Sequence, residues 1–143
     1  MPDNMLMQKK YKWSNWAGNF SCEAENYYEP ENENELCEII SHANKLGKKV
    51  RIVGAGHSFS PIALCDDILI SAKKQRNILS IDGNLVTCQG GIHLHELYAK
   101  LEGVGLSLPN FGVINKQTLA GAISTGTHGS GLKHKSLSAC IKK

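Results

Sequence analysis

The 143-residue chain has no C-x-x-C pair, and its five cysteines (Cys22, Cys37, Cys65, Cys88 and Cys140) form an odd, scattered set. An odd number excludes a closed disulfide framework within one chain, and the spacing is not that of a zinc ribbon. Thiols of this kind read as small buried hydrophobes in a reducing compartment, so a cytoplasmic protein is expected. Long apolar runs are also missing. No uncharged apolar stretch reaches 18 residues, and residues 1–13 carry Asp3, Lys9, Lys10 and Lys12 where a signal peptide needs its apolar core. Charge of one sign is not concentrated: 16 basic and 13 acidic residues leave a net +3, and aromatics make up only 6%. No nucleic-acid or membrane partner is expected from that pattern. The remainder, 41% hydrophobic and 20% charged, is the composition of an ordinary globular domain. A complete domain of this length buries roughly 68–70% of its unfolded surface and folds without disulfides or metal.

Residues 30–47 predict a helix. Asn32 with Glu35 resembles a capping box, Leu36, Ile39, Ile40, Ala43 and Leu46 line one stripe, and Gly47 stops it. Residues 49–53 follow as a short strand ending in Gly54, which is an α/β rhythm. Residues 67–71 and 77–81 are two more apolar runs. Asp82-Gly83 before Leu85-Val86-Thr87 predicts an antiparallel hairpin. Residues 92–103 predict a second amphipathic helix, with Leu94, Leu97, Tyr98 and Leu101 on one face and Gly103 and Gly105 at its end. From 112 to 131 the chain becomes rich in glycine and hydroxyl residues, with Lys116 its one charged residue. Residues 136–141 alternate like the start of a strand. There is no internal repeat and no low-complexity linker.

Two constellations could hold a ligand. Val53-Gly54-Ala55-Gly56-His57-Ser58-Phe59-Ser60 is a glycine-rich turn directly after a strand. Residues without bulky side chains allow successive backbone N–H groups to face one anion. It is not the dinucleotide fingerprint, which needs a third glycine where Phe59 stands and an acidic residue about 20 positions on. Nor does Gly-Lys-Ser/Thr follow, as a Walker loop requires. Taken alone, it is also the pattern of a tight turn with a solvent-facing histidine.

The second constellation, residues 118–131, combines Thr118, Gly121, Ala122, Thr125, Gly126, Thr127 and His128 with apolar Leu119, Ala120 and Ile123. It offers hydroxyls and amides to a flat or extended ligand; the competing reading is a glycine-rich surface loop. Together the two segments would clamp a large phosphorylated cofactor of dinucleotide size. His128 reads as a backbone-orienting histidine. His93 and His95, two apart on a helix, would face different sides and make poor joint metal ligands, so no metal site is expected. Trp13 and Trp16 read as core or edge packing.

On these residues the sequence resembles the vanillyl-alcohol-oxidase type of FAD-binding domain (PCMH-like), and within it the aldonolactone oxidases, the group of gulonolactone and arabinonolactone oxidases. Trp13-Ser14-Asn15-Trp16-Ala17-Gly18-Asn19 is similar to that group's W-x-N-W-x-G-N opening, residues 53–61 to its flavin-attachment loop, and residues 106–131 to its second FAD segment. The likeness runs in order over nearly the whole chain.

The resemblance implies an α+β fold with a first lobe at 12–71 and an incomplete second lobe at 72–143, the substrate domain and the family's His-Trp-x-Lys signature lying beyond. It implies FAD, bonded covalently through a ring nitrogen of His57 to the flavin 8α-methyl. Gly54, Ala55, Gly56 and Ser58 would hold the pyrophosphate, and Thr118, Gly121, Ala122, Thr125, Gly126, Thr127 and His128 would line the cofactor. The implied reaction oxidises an alcohol carbon of a sugar lactone or polyol, with hydride passing to flavin N5 and then to dioxygen or another acceptor. No catalytic residue is assigned, and a fragment of this extent would turn over little and hold FAD weakly. The alternatives are a noncatalytic nucleotide- or phosphate-binding module and an inactive gene remnant.

Overall fold

The structure, a computed structural model, describes residues 7–142; Asp3, read above, and the last residue of the 72–143 lobe lie outside the described residues. The chain divides into two compact units, residues 1–75 and 76–143.

The first unit holds a four-stranded sheet of order β1-β2-β4-β3, built from β1 (Met7–Ser14), β2 (Ser21–Tyr28), β3 (Val50–Val53) and β4 (Ile68–Ser71). β1 and β2 pair antiparallel, whereas β4 lies parallel to both β2 and β3. The central β4 is buried along its whole length, as expected of a strand covered on both faces. Ile68 and Ile70 pack with Tyr28 against Ile39 and Ala43 of α1 (Glu33–Lys45), while Leu69 packs with Ala24, Tyr27, Val53 and Cys65. Asn32 caps α1, its Oδ1 accepting from the Glu35 N–H at 3.0 Å. The Glu35 carboxylate reaches back to the Glu31 N–H at 2.8 Å, one residue earlier than a capping box requires.

Only part of the α1 stripe is buried. Ile40 is 37% and Leu46 58% exposed, because the sheet is met by little more than the Ile39/Ala43 ridge with Leu36 beside it. β1 and β2 had no counterpart in the sequence reading; the signal available was the period-two spacing of Tyr11 and Trp13, both packed on the core.

The second unit opens with the antiparallel hairpin β5 (Ile78–Asp82) and β6 (Leu85–Cys88). Asp82 pairs with Leu85, so the turn residues are Gly83 and Asn84, one position later than Asp82-Gly83. Gly83 takes φ +57° at the first turn position, where a left-handed residue keeps the strands' twist, and Asn84 does not need positive φ. α2 (Leu94–Glu102) buries Leu97 and Leu101 with Ile92 against Ile78, Val86 and Cys88.

Two expectations are corrected here. Residues 118–131 do not run as an open loop throughout: α3 (Leu119–Ser124) occupies their first half, capped by Thr118 and buried through Ala122 against Leu94 and Leu137. Residues 136–141 form no strand but a 3₁₀ turn (Leu137–Cys140). The Leu137 N–H is already bonded to the Thr127 carbonyl at 2.9 Å, and short local bonds satisfy the next turn. The cysteines also differ from expectation at one position, Cys37, which is exposed on α1; Cys65 is buried and the others are half-buried.

Candidate functional site

The first glycine loop leaves the carboxyl end of β3, the end of a parallel strand at which α/β sheets present ligands. The N–H groups of Gly54, Ala55, Gly56, His57, Ser58 and Phe59 find no acceptor among the described residues; the next amide, Ser60, reaches the Ser58 hydroxyl at 3.4 Å. Gly56 takes φ +71°, and a Cβ there would stand 3.3 Å from Trp13 Cζ2 and 3.4 Å from Asn15 Cα. Glycine is therefore favoured by backbone conformation, and a Cβ would in addition make Trp13 or Asn15 give by a few tenths of an ångström.

What presses against Gly56 is the Trp13–Asn19 segment. The Trp16 N–H donates to the Gly56 carbonyl at 2.9 Å. Asn15, buried at 6% exposure, donates from Nδ2 to the Ser58 carbonyl at 3.3 Å and to Asn19 Oδ1 at 2.8 Å, while its Oδ1 accepts the Phe20 N–H at 3.1 Å. One carboxamide thus holds the loop's outgoing segment and the 15–20 turn together. This holding role is what the sequence reading missed, although Asn15 sits in a quoted motif.

His57 is half-buried, and its ring lies 5.4 Å from that of Trp16 at a 32° tilt. No side-chain hydrogen bond among the described residues engages its imidazole. Trp16 is 67% exposed, so it is not core packing, whereas Trp13 does pack on the core.

At the same carboxyl end of the parallel strands, Glu29 follows β2 and is buried, accepting from the Tyr27 hydroxyl at 2.8 Å and paired with Lys73. Burial alone would raise its carboxyl, but the hydrogen bonds from Lys73 and Tyr27 outweigh it and hold the group below the usual range. Burial in turn pushes the Tyr27 phenol far up.

In the second unit the donors are divided. The Leu119 and Ala120 N–H groups bond to the Ile92 and Gly90 carbonyls, both at 2.8 Å, Gly121 to Thr118 Oγ1 at 3.3 Å, and Ala122 to the Thr118 carbonyl at 2.9 Å. The Thr125 hydroxyl donates to the Gly121 carbonyl at 2.9 Å. Gly121 and Thr125 therefore offer surface rather than the exposed amides expected of the segment, whereas Thr118 and Ala122 are buried, Ala122 against Leu94 and Leu137. The amides of Gly126, His128, Gly129, Ser130 and Gly131, by contrast, have no acceptor among the described residues.

This second loop is also held by an asparagine. Buried Asn110 donates to the Lys135 carbonyl at 2.9 Å, and Gly129 lies so close to Asn110 Oδ1 and the Phe111 carbonyl that any Cβ would overlap them. His128 donates from Nδ1 to the Gly129 carbonyl at 2.9 Å, a backbone-orienting bond. Thr127 Oγ1 accepts from Gln117 at 3.0 Å.

His93 is not inside α2 but at its N-cap, with extended backbone, so the helical two-residue spacing does not apply. Its ring lies beside that of His95, centroids 5.5 Å apart, rather than on a different side.

A family profile described as "FAD binding domain" matches residues 24–143. The chain belongs to this family of FAD-binding domains. It is 41% identical over 133 residues to the L-gulonolactone oxidase of Scyliorhinus torazame, covering 92% of this chain and 30% of the relative. With the L-gulono-1,4-lactone dehydrogenase of Mycobacterium tuberculosis (strain CDC 1551 / Oshkosh) it is 40% identical, over 90% of this chain and 31% of the relative. With the putative D-arabinono-1,4-lactone oxidase of Neurospora crassa the figures are 41%, 83% and 22%. The FAD-binding chain thus spans less than a third of the length of these curated relatives.

Among solved structures, a solvent-stable cholesterol oxidase superposes with TM-score 0.82 at 26% identity, over 92% of this chain and 27% of that one. A glycopeptide hexose oxidase follows the same fold with TM-score 0.74 at 21% identity, over 87% and 27%. The α+β fold of the vanillyl-alcohol-oxidase type expected from the sequence is the one found.

Proposed function

We propose that this chain is the FAD-binding part of a flavin-dependent oxidoreductase acting on a sugar lactone or a related polyol. The observation that carries the reading is the run of amides from Gly54 to Phe59 with no acceptor among the described residues, clamped from behind by Asn15 and Trp16 at a positive-φ glycine that Trp13 and Asn15 approach closely. Such a rigid row of N–H groups fits a diphosphate: it binds negative charge without a cationic side chain, and clamping removes the ordering cost at the moment of binding. Gly54, Ala55, Gly56 and Ser58 are assigned to that anion. In the second segment Gly126 and His128 supply amides, Gly121, Thr125 and Thr127 supply small or hydroxyl-bearing surface, and the buried Thr118 and Ala122 hold α3 in place. Bound FAD would supply the two-electron oxidation of an alcohol carbon and pass the electrons to dioxygen or another acceptor.

His57 is assigned to covalent attachment of the flavin. A neutral imidazole nitrogen is a nucleophile, and this one is held by its loop and by Trp16 rather than by a hydrogen bond to a neighbour. The scattered thiols support a reducing compartment, the cytoplasm.

Titrating the chain with FAD while following flavin fluorescence tests the cofactor reading. Saturable binding is expected, weakened at least tenfold by Gly56→Ala; no saturation, or equal affinity for ATP, would overturn it in favour of a general nucleotide-binding module. For attachment, the flavin-loaded protein is acid-precipitated and the peptide containing His57 weighed. His57→Ala is expected to lose the acid-stable yellow colour while retaining reversible FAD binding. Acid-stable colour in that variant would refute the assignment.

A further inference from the structure

The pair His93/His95 belongs to neither cofactor segment, yet it is among the most rigidly framed groups of side chains in the second unit. Residues 115–119 run antiparallel alongside residues 92–95: the His95 N–H donates to the Asn115 carbonyl at 2.9 Å, Leu94 to Gln117 at 2.9 Å, and Leu119 to Ile92 at 2.8 Å, with a bridge between His93 and Thr118. The imidazoles are tied to the same segment. His93 Nδ1 lies 2.8 Å from the Lys116 carbonyl and His95 Nδ1 3.2 Å from the Asn115 carbonyl. A carbonyl only accepts, so both Nδ1 atoms carry the proton and both Nε2 atoms of the neutral rings keep a lone pair. A carbonyl on one ring nitrogen, leaving the other to bind, is the arrangement that prepares histidine as a metal ligand.

The ring separation fits a shared ion. With an M–N bond of about 2.0–2.1 Å and the ring centre about 1.1 Å behind the nitrogen, each centroid would lie roughly 3.2 Å from the metal. Two rings sharing one ion can therefore have centroids up to about 6.4 Å apart, and the observed 5.5 Å is within that reach. The surroundings suit a cation. The Glu96 carboxylate, held at the helix N-terminus by the His93 N–H at 3.2 Å and lying 3.6 Å from Arg76, stands beside the pair, and Lys116 contributes its backbone to the frame. Both rings reach solvent, so water can complete the coordination shell.

We propose that His93 and His95 form a two-imidazole site for a borderline divalent transition ion of the Zn²⁺, Ni²⁺ or Cu²⁺ class, with water in the remaining positions. Its ligand preference follows from the donors: imidazole suits these ions and offers nothing to Mg²⁺ or Ca²⁺.

The test titrates the chain with Zn²⁺ and, separately, Ni²⁺ by calorimetry in a non-chelating buffer, in a Cys37→Ser background that removes the exposed thiol. One ion per chain is expected, with at least a tenfold loss of affinity in His93→Gln and in His95→Gln, no change in His42→Gln, and no response to Mg²⁺. Because His93 also caps α2, a measurement on the chain with both histidines intact accompanies the variants. In ¹⁵N spectra of the imidazoles, both rings are expected to show the Nδ1–H tautomer, and both Nε2 resonances to shift together at one equivalent of Zn²⁺. Binding that survives either substitution, or Zn²⁺ that leaves the two Nε2 resonances unmoved, would overturn the proposal.

Discussion

Asn15 closes two backbone turns with one side chain, and its burial decides how much that matters. Its carboxamide makes bonds to Asn19, Phe20 and Ser58 that no water can replace in a site exposed to only 6%. Asn15→Ala is therefore expected to destabilise the first unit by about 1–3 kcal/mol, the range for stranding buried partners. It should also weaken FAD binding, since Ser58 loses its tether; urea unfolding and a flavin titration on the same variant check both. The sequence motif around Asn15 was legible as a likeness, but its role was not, because a hydrogen bond between residues 15 and 58 leaves no trace in local spacing. His93 is the converse case: its spacing from His95 suggested divergence, and only the cap position, where the backbone is extended, brings the rings together.

At the scale of elements, the helices with strong periodicity and marked ends, α1 and α2, were readable, and α3 was not. Its sequence, LAGAIS, is short and carries a central glycine, so intrinsic propensity is against it. Tertiary context supplies the difference. Ala120 fits against Gly90, where a Cβ would lie only 3.0 Å from that of Ala120, Ala122 is fully buried, and Thr118 caps the first turn. Thr118→Ala should cost about 1 kcal/mol, as for other N-caps. Hydrogen exchange is expected to accelerate at Gly121 and Ala122 while the amides of α2 keep their protection. Loss of protection across both helices would show that the cap supports more than its own turn.

At the scale of the whole molecule, the buried Glu29–Tyr27–Lys73 cluster makes stability depend on acid. The folded-state carboxyl is held below its ordinary value, so its contribution is complete above the unfolded pKa of about 4.3 and is lost as pH falls through the lower folded value. The urea midpoint is expected to drop as pH is taken below about 5. Glu29→Gln should be less stable at pH 7 but should fall less steeply on acidification; an unchanged slope would show that other carboxylates, such as Asp67 with its bond from the Lys49 N–H, dominate.

From the sequence alone came the helix caps, the hairpin and the two glycine-rich segments, because each is written in residues adjacent in the chain: period, cap and turn chemistry act over a few positions; the class of fold came from the family resemblance of those segments. Tertiary structure decided which amides of those segments remain unpaired, which asparagines clamp them, that the alternating tail coils instead of extending, and that His93 faces His95. Those outcomes depend on which backbone groups find partners far along the chain, and hydrogen-bond satisfaction is settled only when the distant partner is in place.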